Sequence, residues 1–340
     1  MRGTPTAATR GFSVLTKRAF LSTAARAGVA AGLGFAASSP VLADEYPLRA
    51  IHFILPFPAG PTDLVLRLYA QKLSADWGVP GVVETRPGAT GTIGADAVVR
   101  AAPDGYTLLF TVDLPITMAP NLLKLSYDSQ RDLIPIAGVM ESNDVLIASA
   151  ASGIKTLAEL VAAAKAKPGV LTYSSAGIGS PGHLCGEMLR HDAGIAMIHV
   201  PYKAASPSLN AVLAGDVTVG CVPIAQALPF IRAQKVTALG VAGAKPAPLL
   251  PTVAPLAATY PGLVMTEWFG LFAPAHTPAA VCDKLAAEFK KIYADPELQK
   301  KLTSAGLEPT WISGPELSRR IADDLKKWHD VMASAGIRSN

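Results

Sequence analysis

Ser180 and His183 sit in the run Gly177-Ile178-Gly179-Ser180-Pro181-Gly182-His183, which invites two kinds of chemistry. A serine near a histidine is raw material for a nucleophile and its base. A Gly-x-Gly-x-x-Gly run between a strand and a helix matches the dinucleotide fingerprint. Neither reading is complete. A hydrolase also needs an orienting carboxylate and an oxyanion hole, and the strained Gly-x-Ser-x-Gly elbow is absent. A dinucleotide site needs an acidic residue about 20 positions on to hold the ribose, and the next strand ends Ile198-His199-Val200-Pro201-Tyr202-Lys203 with no carboxylate. The run therefore reads as an anion loop. Its backbone N–H groups and the Ser180 hydroxyl are expected to face a ligand from a helix N-terminus. His183 is expected either to touch that ligand or to hydrogen-bond the helix start.

A second strand-to-helix turn, Pro58-Ala59-Gly60-Pro61-Thr62-Asp63, offers the same physics, since small residues let a ligand approach the backbone and the helix start favours negative charge. Asp63 itself reads as a first-turn acid that satisfies helix amides. The remaining histidines, at 52, 191, 199, 276 and 329, have no paired spacing on one helix face, so no metal and no cofactor is expected. Lys124, Arg131, Lys165 and Lys167 are ordinary surface charges without interleaved aromatics, which argues against nucleic acid.

The elements that must position these loops alternate strand and helix, the pattern of α/β architecture with largely parallel sheets. Residues 50–55 read as a buried strand and 62–77 as a helix stopped by Gly78. Strands at 82–84 and 106–110 flank a helix from about 93 to 101. A second set starts near Val145. A helix over 156–165 places Leu157, Leu160, Val161 and Ala164 on one face, and strands follow at 171–174, 197–200, 217–222 and 236–242. The C-terminal third reads as helical. Val281, Leu285 and Ile292 form one apolar stripe, and Leu317, Ile321, Leu325, Trp328 and Met332 another. Neither segment has strands of its own, so both must cover a sheet built earlier. That predicts two lobes, residues 44–143 with 268–340 and residues 144–267, and a chain that crosses between them twice.

Half of the 340 residues are apolar and 16% are charged, enough for a large core. The net charge of +4 looks like a hint of nucleic acid until it is placed along the chain. Five of the 30 basic residues, and no acid, fall in residues 1–43, leaving 25 basic against 26 acidic residues in the rest. Residues 1–43 read as an export signal, with a basic start, a weakly apolar Ala/Gly stretch and Val41-Leu42-Ala43 as the cleavage site. Thr16-Lys17-Arg18-Ala19-Phe20-Leu21 looks like a Lys-Arg variant of the twin-arginine signal. The stretch is too short and too rich in Gly and Ala to span a bilayer, so cleavage after Ala43 and a periplasmic location are expected. Cys185, Cys221 and Cys282 fit neither a metal nor a disulfide pattern and read as three buried small hydrophobes.

A signal sequence, two lobes, two helix-start anion loops and a double crossing suggest a clamshell binder. Tyr46-Pro47, Pro56-Phe57-Pro58-Ala59-Gly60, Glu84-Thr85-Arg86-Pro87-Gly88-Ala89, Pro103-Asp104-Gly105-Tyr106-Thr107-Leu108, the segment from Tyr173 to Leu184, His199-Val200-Pro201-Tyr202-Lys203 and the segment from Trp268 to Pro278 closely resemble the Bug family. These are substrate-binding receptors of tripartite tricarboxylate transporters, and the resemblance covers essentially the whole chain after residue 43. It implies a type II periplasmic-binding-protein fold that closes on a small carboxylate, a large and a small membrane subunit as partners, a monomer, and no catalysis. Carried over by position, it places ligand contacts at Ala59, Gly60, Thr62 and Asp63 on one lobe, and at Gly177, Ser180, His183, Pro201, Tyr202 and Lys203 on the other. Thr111 and Asp113 follow a strand end and are expected to line the same crevice. The chain departs from the family at Pro61, where Gly is usual, at Ala204, where Gly usually follows Tyr-Lys, and at Val222, where an acid is common. Pro61 removes an N–H donor. Val222 removes a partner for a ligand ammonium, which favours an unaminated carboxylate unless Asp113 replaces it. A role as co-receptor for a membrane sensor kinase is the alternative from another class, and a Ser/His hydrolase a third.

Overall fold

The computed structural model describes residues 45–58, 60–334 and 336–337, so the expected export signal and its cleavage point lie outside the described residues. The chain opens with β1 (Ile51–Leu55), α1 (Pro61–Trp77), β2 (Gly81–Thr85), α2 (Thr92–Val99), β3 (Thr107–Val112) and the short α3 (Ala119–Leu122), the last preceded by a π-turn over Leu114–Met118. Ile51, Phe53, Ile54 and Leu55 are all buried. A strand apolar on both faces belongs inside a parallel sheet, and β1 pairs in parallel with β2 and with β3.

The next strand, β4 (Leu133–Ser149), is 17 residues long, roughly 55 Å at the usual rise. That is more than one small sheet can pair. Its first part joins β3 to the rest of the first sheet through β9, and its last part lies in a second sheet. The second sheet is built by α4 (Leu157–Ala166), β5 (Thr172–Ser175), α5 (Pro181–Ala193), β6 (Ile198–Pro201), α6 (Ala205–Ala214), β7 (Val219–Pro223), α7 (Ile224–Arg232) and β8 (Val236–Val241). Here β5 runs parallel to β6 and β7, while β4 pairs antiparallel with β7 and β8. The return path is β9 (Thr266–Pro274), antiparallel to both β3 and β4. After it come α8 (Ala279–Tyr293), α9 (Pro296–Ser304), β10 (Glu308–Ser313) and α10 (Gly314–Ser334). The β4 pairing changes partner between Asn143, opposite Thr266, and Asp144, opposite Pro223.

Each sheet is covered on both faces. In the first, Val65, Leu66, Tyr69 and Leu73 of α1 pack with Val281, Leu285, Phe289 and Ile292 of α8, and on the other side Ala95 and Val98 of α2 pack with Leu317 and Ile321 of α10. In the second, Leu184, Cys185 and Leu189 of α5 form one core, and Leu209, Val212, Ile224 and Ala227 of α6 and α7 the other.

Two expectations for the C-terminal third are corrected. It contains a strand, β10, which pairs antiparallel with β4 across a bulge between Pro309 and Ile312. Glu-Pro-Thr-Trp-Ile-Ser has no clean alternation and carries a proline, and β4 supplies the pairing that local pattern does not show. In addition, α10 does not serve one sheet only. Leu317 and Ile321 pack in the first lobe, whereas Trp328 and Met332 pack in the core with α5. Of the three thiols, Cys185 and Cys221 are buried as expected and Cys282 is only half-buried; all are free.

Candidate functional site

The Gly177–His183 loop closes on itself. The Ser180 hydroxyl donates to Gly177 O at 2.7 Å and accepts from the His183 backbone N–H at 3.4 Å, making Ser180 the N-cap of α5. The ring Nδ1 of His183 accepts from Gly179 N–H at 3.0 Å. Serine and histidine therefore never meet as nucleophile and base. His183 is the helix-start hydrogen bonder of the two roles expected, buried at 6% exposure. Its ring stacks on His199 at 4.1 Å, and His199 stacks on Tyr173 at 4.8 Å. Burial, then the neighbouring His199, pushes the His183 ring down to about 4, so it stays neutral. Ser175 ties the loop to this stack, at 2.7 Å from His199 Nε2 and 3.1 Å from Gly177 N. Gly182 is required by close approach, since a Cβ there would run into the carbonyl of Cys221 on β7. Ser180→Ala should cost about 1 kcal/mol of stability, the usual price of a lost N-cap, and leave background ester hydrolysis unchanged. Urea melts and a p-nitrophenyl acetate assay read both, and turnover that vanished in the variant would restore a Ser/His enzyme.

On the first lobe, Gly60 is the N-cap of α1 without a side-chain cap, and Thr62 is buried. Asp63 Oδ2 accepts from Arg67 Nε at 2.9 Å while Oδ1 is buried without a partner among the described residues. Ala59 lies outside the described residues. Thr111 is wholly buried, its hydroxyl donating to Val112 O at 3.1 Å, so it supports β3 from within. Pro201 and Lys203 are exposed and Tyr202 half-buried, with Tyr202 N–H donating to Ser175 O at 3.0 Å.

A cavity of about 160 Å³ lies between the segment after β3, the starts of α5 and α6, the two crossings and α10. Asp113 and Met118 line it from the segment after β3, Pro181 and Gly182 from the start of α5, Ala205 from the start of α6, and Trp328 from α10. Asp144, Thr266 and Glu267 line it from the two crossings. Of the twelve expected contact residues, Asp113 is a wall of this cavity. Thr111, Gly177, Ser180, His183 and Pro201–Lys203 do not line it, although Ala176, Pro181, Gly182 and Ala205, close to them in the chain, do. Gly60, Thr62 and Asp63 do not line it. Phe57, just before that loop, packs with Pro115 of the π-turn around Gly91, where a Cβ would meet both within 3.4 Å. Pro181 has no N–H and Ser180 takes that of His183, so Gly182 N–H is the α5 donor left at the cavity wall.

Asp144, Glu267 and Trp328 were not anticipated as wall residues. Trp328 was visible only as part of an apolar stripe, Asp144 closes the polar run Glu141-Ser142-Asn143 of β4, and Glu267 stands as a lone acid in the largely apolar β9, the one anomaly sequence offers. Burial raises all three carboxyls. Asp144 is pushed up to about 7, and Glu267 to about 8 by burial and then by Asp144. Asp113 rises well above the usual carboxylate range through burial and then Glu267 and Asp324. Among the described residues no three His, Cys, Asp or Glu side chains converge as metal ligands would.

Two α/β lobes joined by long crossing strands, with a cavity at the crossing, make this a two-lobed solute-binding protein. Solved structures that share the fold include the periplasmic binding protein BugD (31% identity over 87% of this chain and all of that one, TM-score 0.73). The protein Rpa4515 of R. palustris with adipate is 27% identical over 87% of this chain and all of that one, TM-score 0.77. MatC of Rhodopseudomonas palustris with bound malate is 29% identical over 84% of this chain and 99% of that one, TM-score 0.71. The model of the tripartite tricarboxylate transporter family receptor matches residues 65–337, and the chain belongs to that family of Bug-type receptors.

Proposed function

We propose that this receptor captures a small organic acid reversibly in the cavity at the crossings and delivers it to the large and small membrane subunits of a tripartite transporter. The observation that carries this reading is the cavity itself, walled by both lobes and by the N-terminus of α5. A helix start offers unpaired N–H groups and a partial positive charge to an acidic group. Adipate and malate in two related structures support a carboxylate as the ligand class. The lobes, residues 44–143 with 268–340 and residues 144–267, close by bending where β4 passes from the first sheet into the second and where the chain returns into β9. On closure the loops at Gly60–Asp63 and Pro201–Lys203 come over the bound acid, while Gly177, Ser180 and His183 hold α5 in place. The receptor acts in the periplasm as a monomer after loss of residues 1–43. No helix of the described residues is long and apolar enough to cross a membrane, in keeping with a receptor that docks on separate membrane subunits.

A thermal-shift screen of residues 44–340 against mono-, di- and tricarboxylates, amino acids and aromatic acids tests the reading, with calorimetry on the hits. A ligand at 100 times its Kd adds about 2.7 kcal/mol to stability, a clear rise in Tm. If no acid shifts Tm while native mass spectrometry shows an empty protein, the receptor reading fails.

A further inference from the structure

The cavity walls carry two kinds of unpaired polar group, and they differ in sign. Asp113 is 1% exposed and neither carboxyl oxygen has a hydrogen-bond partner among the described residues. Asp144 is 9% exposed, and the one side-chain donor to its carboxyl among the described residues is the weak Cys221 thiol at 4.0 Å. Glu267, beside them, makes no side-chain hydrogen bond to the described residues. Buried carboxyls are ordinarily paired or hydrogen-bonded, because desolvation without compensation is costly. The nearest basic groups are already committed on α10. Arg320 pairs with Glu141 and lies 3.7 Å from Asp324, while Lys327 donates to Val264 O and lies 4.4 Å from the centre of the Trp328 ring. The complementary feature is Trp328, 2% exposed, whose Nε1–H has no acceptor among the described residues. With Gly182 N–H it offers donors to an acceptor group.

A plain dicarboxylate satisfies the donors and sets its second charge against three acids. A molecule with one acidic and one basic end satisfies both sets. We propose that the carboxyls of Asp113, Asp144 and Glu267 form a subsite for a positively charged nitrogen, so that the ligand is an amino-carboxylate whose acid group faces Trp328 and the start of α5. This rests on the receptor reading above and reverses what Val222 alone suggested, since three other acids line the cavity. The volume, about 160 Å³, is that of a cavity that holds benzene, which points to a compact ligand.

Calorimetry on residues 44–340 with matched pairs separates the two ideas: aspartate against malate, 4-aminobutanoate against butanoate, 3-aminobenzoate against benzoate. Each is run at pH 7.5 in two buffers of different ionisation enthalpy. A bound ammonium draws the wall carboxyls into their charged form, so binding should release protons; a bound dicarboxylate should take them up. The groups that set this balance are Asp113, Asp144 and Glu267, Cys221 of β7, and Asp324, Arg320 and Lys327 of α10. The aminated member of at least one pair should bind about tenfold tighter or better and release protons. Asp113→Asn should weaken it by about tenfold to a hundredfold, on the scale of a lost charge-assisted hydrogen bond, while the unaminated partner holds or improves. Should Asp113→Asn not fold, Glu267→Gln at a half-buried position is held to the same result. Tighter binding of the unaminated acids with proton uptake, or unchanged affinity in both variants, overturns the cation subsite and leaves the carboxylate receptor standing. Failure of every acid of both kinds to bind overturns both.

Discussion

Truncating Trp328 to alanine should cost about 3–5 kcal/mol, the range for removing a fully buried aromatic side chain. Out of a typical total of about 5–15 kcal/mol, that is a loss few single changes produce. Trp328 is 2% exposed and packs in the core that also holds Met118, Leu184 and Leu189. It thus ties α10, whose earlier residues Leu317 and Ile321 serve the first lobe, to the second lobe. At about 2–4 °C per kcal/mol for a domain of this size, Tm should fall by roughly 6–20 °C. Phenylalanine at 328 keeps most of the ring and, in the empty protein, breaks no hydrogen bond, because Nε1 has no partner among the described residues. It should keep most of the stability and still weaken ligand binding. Urea melts of both variants test this, and an alanine variant within 1 kcal/mol of the parent would show that α10 does not clamp the lobes as described.

The second large effect is on pH. Asp144 and Glu267 are raised to about 7 and about 8 from ordinary values near 4. A raised carboxyl binds its proton more tightly in the folded state, so its contribution is fully present below the unfolded pKa and is lost as pH rises through the folded one. His183, lowered to about 4, works in the opposite sense. Its contribution is present above its ordinary value near 6.5 and lost as pH falls through about 4. Below pH 6.5 the two trends partly cancel. Between about pH 6.5 and 8 the carboxyls dominate, and Asp144 and Glu267 together should cost the empty protein on the order of 2–3 kcal/mol, at about 1.4 kcal/mol per pK unit. The double variant Asp144→Asn, Glu267→Gln should fall less steeply over this window and melt higher than the parent at pH 8, with Asp113 keeping part of the slope. A parent protein more stable at pH 8.5 than at pH 6, or a double variant as steep as the parent, contradicts this assignment. Exposed carboxyls held low by ion pairs, such as Asp96 beside Arg100 and Asp132 beside Arg131, lose their contribution below this window and do not disturb it.

The loops at the two helix starts were legible because their chemistry is local. Ser-Pro-Gly after a strand signals an N-cap, a proline at the first helical position and a close packing contact, whatever surrounds it. The α4 face of Leu157, Leu160, Val161 and Ala164 and the α8 stripe of Val281, Leu285 and Ile292 were equally legible, since a helix repeats its buried side every three to four residues. β10 was not, because its pairing partner lies some 170 positions earlier on β4 and nothing within six residues records it. Nor were the two allegiances of α10, since one continuous apolar stripe reads the same whether it covers one core or two.

The sequence by itself determined the α/β alternation, the two loop motifs and the resemblance that names the receptor class, all carried by short-range spacing and residue type. Only the tertiary structure decided that Ser180 and His183 serve the helix start and that Asp113, Asp144, Glu267 and Trp328 share one cavity. Those four arrive from a strand end, the two crossings and the last helix. Their meeting is set by how β4 runs from the first sheet into the second beside the start of β9, and burial at that junction, which no single segment encodes, gives the acids their raised pKa values.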